Sequence, residues 1–291
     1  MALADQTHHP CTEMIEATNL YYAFSDGTVG LHDINLSLPT NSRTLLVGAN
    51  GAGKSTLLRI LAGKTLARRG QTTVDGRDPF RDGLQNATYL GTEWISNPTV
   101  RRDVPVTLLI ASVGGDAYPE RRDELVDILD IDLTWRMSAV SDGERRRVQL
   151  CMGLLQPWTS LFLDEVTVDL DVLVRYRLLE FLKKETESRP CQIVYATHIF
   201  DGLMGWPSHV VHMHLGQVVE ASPTEALLEK YGGKGVNSPL LEIALSWLKQ
   251  DLVQRGTRHK RTWEEVEATI GDSLDNAGKF NQYFRLTRGR P

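Results

Sequence analysis

Long apolar runs are missing from this 291-residue chain, which nowhere reaches the about 18 consecutive apolar residues that a membrane-spanning helix requires. No transmembrane segment is therefore expected, and Met1 to Pro10 lack the apolar stretch of a secretory signal. Cysteine is scarce as well. Cys11, Cys151 and Cys191 are odd in number and without metal-ligand spacing, which argues against a disulfide framework and favours a reducing compartment, the cytoplasm or the nucleus. An excess of positive charge is also absent. The formal net charge of −5 leaves no broad basic face to neutralise phosphates, so general nucleic-acid binding is not expected. One local exception is the cluster Arg255, Arg258, His259, Lys260 and Arg261, followed by Arg285, Arg288 and Arg290. It reads first as a solvated linker, and second as a nucleic-acid or nuclear-import signal. Apolar residues are not lacking: at 41% they suffice to build a full core in a chain of this length.

The most informative stretch is Gly48-Ala49-Asn50-Gly51-Ala52-Gly53-Lys54-Ser55-Thr56, which fits the Walker A pattern G-x-x-x-x-G-K-[ST]. Thr44 to Val47 before it read as a buried strand. Leu57, Leu58, Ile60 and Leu61 after it recur at helical spacing until Gly63. Such a P-loop wraps its backbone closely round a polyphosphate, with N–H groups and the helix N-terminus directed at the anion. Lys54 is expected to neutralise the β and γ phosphates, and Ser55 to ligate Mg²⁺. The chain is thus expected to bind a nucleoside triphosphate through Gly48, Asn50, Gly51, Gly53, Lys54, Ser55 and Thr56.

Ser160 to Glu165 form an apolar strand that ends in two carboxylates, as a Walker B element does. Asp164 is expected to hold the metal and Glu165 to polarise the attacking water as a general base. Between the two elements runs Val140-Ser141-Asp142-Gly143-Glu144-Arg145-Arg146-Arg147-Val148-Gln149-Leu150. Ser141 and Glu144, three residues apart before an apolar run, also read as a capping box.

In this segment the chain resembles the ABC ATPases, whose signature usually reads Leu-Ser-Gly-Gly-Gln ahead of a basic, apolar helix. Val168-Asp169-Leu170-Asp171 looks like their D-loop, and His198, after Ile193 to Thr197, like their switch histidine. Phe24 falls where the family places an aromatic ring against the adenine, with Tyr22 the alternative in a shifted register; core packing is the competing role for Phe24. The resemblance spans about residues 14 to 222. It implies an α/β P-loop core with an antiparallel β flap, and a helical subdomain at about 95–156 that carries the signature. ATP with Mg²⁺ is the implied ligand pair. Each site would be completed by Ser141 and Gly143 of a second subunit, in a homodimer or a heterodimer with another ABC chain.

Three departures from the pattern stand out. Asp142 and Glu144 occupy positions where Gly and Gln are usual, and like charges a few ångströms from a triphosphate repel it by about 1 to 4 kcal/mol. Asp142 is therefore expected to point away, with Arg145, Arg146 and Arg147 available to offset the charge. Val166 replaces the usual Pro. After the strand Ala87 to Leu90, Gly91-Thr92-Glu93-Trp94 contains no Gln, so that Glu93 or Thr92 takes the place of the metal and γ-phosphate sensor. These departures are similar to those of the stand-alone ABC ATPases of eukaryotes, which implies a soluble regulatory switch with a partner such as a Not-type transcription and deadenylation complex. Two alternatives are an ATPase subunit for a separately encoded permease and a weakly hydrolysing, nucleotide-dependent scaffold.

The rest of the pattern reads as strands near Met14 to Phe24 and Leu31 to Leu38, a turn at Asp75-Gly76, and mainly helix from Val104 to Gln156 with Leu125, Ile128 and Leu129 on one face. A helix is expected over Asp171 to Arg189, with strands over Cys191 to Thr197 and His209 to Leu215. Residues 223–291 read as a helical extension. Its apolar faces are Leu240, Leu241, Ile243, Ala244, Trp247, Leu248 and Leu252, then Trp263, Val266 and Ile270.

Overall fold

In the computed structural model, residues 15–231, 238–256 and 262–263 are described. Cys11, the first ten residues, Val266, Ile270 and the basic residues from Arg258 onward lie outside them.

Strands β1 (Ile15–Ala23) and β2 (Val29–Leu38) mix buried apolar positions with exposed polar ones, as strands covered on one face do. They pair antiparallel, and β4 (Arg69–Val74) pairs antiparallel with the other edge of β1, giving a flap in the order β2-β1-β4. The turn after β4 is tight. Asp75 and Gly76 both take positive φ, 53° and 73°, while Val74 bridges Arg77, the geometry of a two-residue hairpin turn.

The second sheet carries the site. Strands β3 (Arg43–Val47), β5 (Ala87–Leu90), β6 (Ser160–Asp164), β7 (Gln192–Ala196), β8 (His209–His214) and β9 (Gln217–Pro223) lie in the order β5-β6-β7-β3-β8-β9. All neighbours are parallel except β9, which returns antiparallel beside β8. Every residue of β6 and β7 is buried, so both faces of the sheet are covered and these strands read as continuous apolar runs rather than alternating ones. Successive side chains nevertheless part into two cores. Leu45, Leu161, Leu163, Ile193 and Tyr195 pack with the helices on one face. Leu46, Phe162, Val194 and Ala196 pack beneath the flap together with α1 (Lys54–Leu61).

Two short 3-10 turns, Thr92–Ser96 and Pro98–Arg101, lead from β5 into the arm of α2 (Val106–Ser112), α3 (Pro119–Ile128) and α4 (Asp142–Leu154). Leu125 and Leu129 are fully buried there. α5 (Val172–Ser188) begins at Asp171, whose carboxylate accepts from the N–H groups of Leu173 and Val174 as an N-cap. Cys151 and Cys191 are free, buried thiols, and burial pushes them up to about 12 and about 11.

The chain divides after Leu248 into two compact units. In the first, α6 (Thr224–Tyr231) buries Leu227, and α7 (Pro239–Arg255) buries Leu240, Ile243, Ala244 and Trp247. The second holds the end of α7. Of the residues on the expected apolar faces, Leu252 is 56% exposed and Trp263 77% exposed. Periodicity identifies an apolar stripe without identifying what covers it. Strand β9 was also not anticipated, because it alternates exposed and half-buried residues and contains no long apolar run. Among the described residues no helix is long and apolar enough to cross a membrane.

Candidate active site

Parallel register gathers the functional segments at the carboxyl ends of β3, β6 and β7, where open α/β sheets place their ligands. Leu46 pairs with Ala196, and Ala196 with Asp164. The P-loop leaves β3 at Gly48, Glu165 follows β6, and His198 lies two residues beyond β7.

Gly53 caps α1 at φ 101°, a conformation that side chains rarely adopt, and thereby turns the loop into the helix. Gly48 lies so close to β8 that a Cβ there would stand 2.3 Å from the Met213 carbonyl oxygen. Lys54 begins the helix. Its Nζ donates to the carbonyls of Gly48 at 2.7 Å and Ala49 at 3.3 Å, so the ammonium lies over the loop itself. Burial lowers its pKa, and the charges of Glu165 and Asp164 oppose that shift.

Ser55 Oγ donates to Asp164 Oδ1 at 3.0 Å, and the Tyr89 hydroxyl donates to Oδ2 at 3.2 Å. Burial raises the pKa of Asp164 while these two hydrogen bonds lower it, with the net shift upward. Tyr89 is itself pushed up to about 12, first by burial and then by Asp164, so it remains a proton donor. Each Asp164 oxygen keeps a lone pair beyond the bond it accepts. With the Ser55 hydroxyl, that is an oxygen-only donor set suited to Mg²⁺, which commonly takes one or two protein ligands and fills the rest of its shell with phosphate and water. Among the described residues there is no cluster of three or more His, Cys, Asp or Glu able to hold a metal alone.

Glu165 takes φ 54°, uncommon for a residue with a side chain and frequent at functional sites. Its N–H donates to the Ala196 carbonyl at 2.9 Å. Its Oε2 lies 2.8 Å from His198 Nδ1 without the alignment of a hydrogen bond, and His198 is largely exposed. A cavity of about 550 Å³ opens here, lined by Phe24, Thr28 and Gly30 from the flap, by Asn50 to Thr56, and by Glu165. Phe24, at 44% exposure, faces this space and meets the edge of Tyr22 at 5.2 Å, whereas Tyr22 packs against the flap core.

The signature segment lies elsewhere. Ser141 caps α4 in a full capping box: Glu144 N–H donates to Ser141 Oγ at 3.3 Å, and Glu144 Oε2 accepts from Ser141 N–H at 2.7 Å and from its hydroxyl at 2.8 Å. Asp142 is held between Arg145 at 2.7 Å and Arg101 at 3.0 Å. Of the three arginines, then, only Arg145 meets Asp142. Arg147 pairs with Asp130 and Asp171. Arg146, almost fully buried, donates to the Gly91 carbonyl at 2.9 Å and lies 3.6 Å from Asp169. A Cβ on Gly143 would stand 2.8 Å from the Asp169 carbonyl oxygen, so the signature glycine rests on the D-loop of its own chain. Ser141 and Gly143 are not among the described residues lining the cavity. Thr92 is exposed, and Glu93 is paired with Arg59 at 3.2 Å. Tyr89 and Arg59 were given no role from sequence, and Arg146 only that of one of three arginines offsetting the signature's charge. Arg59 had a legible signal, since it stands four residues after Ser55 on one face of α1.

Fold and site together define a P-loop nucleoside triphosphatase with an inserted helical arm. Residues 31–168 match the family described as ABC transporter. CCR4-associated factor 16 of Saccharomyces cerevisiae is 48% identical, across 81% of this chain and 94% of that protein. ABC transporter I family member 20 of Arabidopsis thaliana is 44% identical, across 79% of this chain and 72% of that protein. The ATP-binding subunit of an ABC transporter superposes with a TM-score of 0.66 at 21% identity, covering 80% of this chain and 99% of that one. A dimeric ATP-binding cassette with bound ADP and Pi does so with a TM-score of 0.61 at 16% identity, covering 72% and 98%. The chain belongs to the ABC transporter ATP-binding family and is an ATP hydrolase of the ABC type.

Proposed function

We propose that this protein is a stand-alone ABC ATPase that closes into a two-site dimer on ATP and opens on hydrolysis, acting as a switch on a regulatory complex. One observation carries this reading: Lys54, Ser55 and Glu165 line one cavity, with Asp164 bonded to Ser55 and His198 2.8 Å from Glu165 just behind them, whereas Ser141 and Gly143 of the same chain neither line it nor bond to a residue that does among the described residues. A helix N-terminus such as that of α4 attracts an anion, and Ser141 and Gly143 would offer theirs to the γ-phosphate held by the opposite subunit. Two-fold symmetry then makes two equivalent sites.

Within each site the loop from Gly48 through Gly53, with Asn50, Gly51 and Thr56, cradles the phosphates of ATP, and Lys54 neutralises them. Phe24 stacks on the adenine. Ser55 and Asp164 would hold Mg²⁺, which would neutralise phosphate charge, while Glu93 is paired with Arg59. Glu165 takes the proton of the attacking water, and His198, 2.8 Å from its carboxylate, serves as the switch histidine beside it. Of the two signature carboxylates, Asp142 is neutralised by Arg101 and Arg145, and closure requires Glu144 to release the Ser141 N–H and hydroxyl that it holds.

The yeast relative carries CCR4 association in its name. By that similarity the partner here is a Not-type regulatory complex in the cytoplasm or nucleus. Tagged Glu165→Gln protein captured from its native cells in ATP, with Lys54→Ala as the nucleotide-free control, tests the assignment by mass spectrometry. Enrichment of such a complex with the ATP-trapped form supports it. Enrichment of a membrane permease instead makes the chain a transporter motor, and enrichment of a second ABC chain makes the dimer a heterodimer.

A further inference from the structure

Tyr89 occupies the third position of β5, directly beside Phe162 of β6 in the parallel register. That placement brings its hydroxyl to Asp164 Oδ2, opposite the oxygen held by Ser55. The Arg59 guanidinium stands beside the same phenol, near enough for each to shift the other's pKa. The Arg59 guanidinium is in turn paired with Glu93. Gly91 lies beside Glu93 and Tyr89: a Cβ there would stand 2.7 Å from Glu93 Oε2 and 2.8 Å from the Tyr89 hydroxyl. Its backbone, φ −130° and ψ 176°, is open to any residue, so it is space and not conformation that calls for glycine.

We propose that Tyr89 is a positioning residue for the metal-holding carboxylate of Asp164, and that Glu93 acts on the metal site through Arg59 and Tyr89 rather than as a ligand. The inference rests on Asp164 being the metal ligand. A guanidinium beside the phenol favours the O–H being polarised toward Asp164, because charged and polar neighbours polarise one another in a low-dielectric site. With one donor on each oxygen, the Asp164 carboxylate is held in a single orientation before any metal arrives. Partners of this kind, one bond removed from the metal, typically change its affinity by about 10- to 100-fold when lost. The usual sensor glutamine is thus replaced by a relay that ends on the opposite side of the same carboxylate.

The test is Mn²⁺ titration of the protein with a non-hydrolysable ATP analogue, read by electron paramagnetic resonance, with metal-free nucleotide affinity and melting temperature measured in parallel. Tyr89→Phe is expected to raise the Mn²⁺ half-saturation about tenfold while leaving metal-free nucleotide binding and melting temperature as in the wild type. Gly91→Ala, which retains every hydrogen-bonding group but crowds the hydroxyl, is expected to shift it in the same direction. So is Arg59→Met, by a smaller factor. A wild-type Mn²⁺ titration in the folded Tyr89→Phe protein overturns the inference. Should that variant not fold, wild-type titrations in both Gly91→Ala and Arg59→Met overturn it equally. An Asp164→Asn protein that binds Mn²⁺ as the wild type does removes the metal site itself, and the positioning role with it.

Discussion

Replacing Glu185 by glutamine removes one negative charge from between two guanidinium groups and keeps the shape of the side chain. Glu185, on α5, receives Arg121 from α3 through two parallel bonds, 2.9 Å to Oε1 and 2.6 Å to Oε2, and Arg189 at 2.9 and 2.6 Å on Oε2. The three side chains are 12%, 16% and 24% exposed, so water replaces little of what the carboxylate supplies. Breaking a buried pair by removing one partner costs about 3 to 5 kcal/mol. The lower end applies here, because Arg121 retains the Leu154 carbonyl and the Phe181 ring, and Arg189 retains the Trp158 carbonyl and ring. A loss of about 3 kcal/mol corresponds to roughly 6 to 12 °C in melting temperature, read by scanning calorimetry near neutral pH. Burial raises the pKa of Glu185, but the bonds from Arg121 and Arg189 outweigh it and the net shift is downward from 4.5. Its contribution is therefore complete above the ordinary carboxylate value and is lost as pH falls through the lowered one. The gap between wild type and Glu185→Gln should accordingly narrow below about pH 4.5. A shift under about 2 °C at neutral pH, or a gap that widens on acidification, refutes the electrostatic account of this cluster.

Further outcomes follow from the site. Lys54→Ala removes the ammonium from the loop and should weaken fluorescent-ATP binding at least about tenfold, as loss of a charge-assisted contact does; wild-type affinity would remove Lys54 from the phosphate site. Phe24→Ala should weaken the same binding by about fivefold or more, the measure of one base stacked on an aromatic ring. A larger loss in Tyr22→Ala would transfer that role to Tyr22. Gly143→Ala favours the α4 helix itself but drives a methyl group against the Asp169 carbonyl, 2.8 Å from the Cβ position. It should preserve ATP binding in the monomer and abolish ATP-dependent dimers, a separation visible by titration alongside light scattering.

Local chemistry was legible wherever a short segment suffices to specify it. The P-loop declares its own strand, turn and helix. Asp75-Gly76 announces a turn that needs two positive φ angles, and Ser141 with Glu144 forms the box its spacing implies. Contacts that depend on strand order were not legible. Arg101 reaches Asp142 and Tyr89 reaches Asp164 only because the 3-10 turns lead from β5 to α2 while β5 lies beside β6, placing residues 41 and 75 positions apart within hydrogen-bond distance. Arg146 reads from sequence as one of three equivalent arginines, yet tertiary packing buries it between Gly91 and Asp169. Leu252 shows the converse limit, a residue of the right type at the right spacing that remains exposed.

The ATP-driven dimer is the central claim, and Glu165→Gln tests it most directly. The substitution preserves the volume of a side chain that lines the cavity and removes its capacity to take a proton. Loss of a general base slows turnover by about 10² to 10⁴-fold. Light scattering on the variant should give the mass of two chains in ATP with Mg²⁺ and of one chain with ADP or without nucleotide. A single-chain mass in saturating ATP, or turnover equal to the wild type, contradicts the switch.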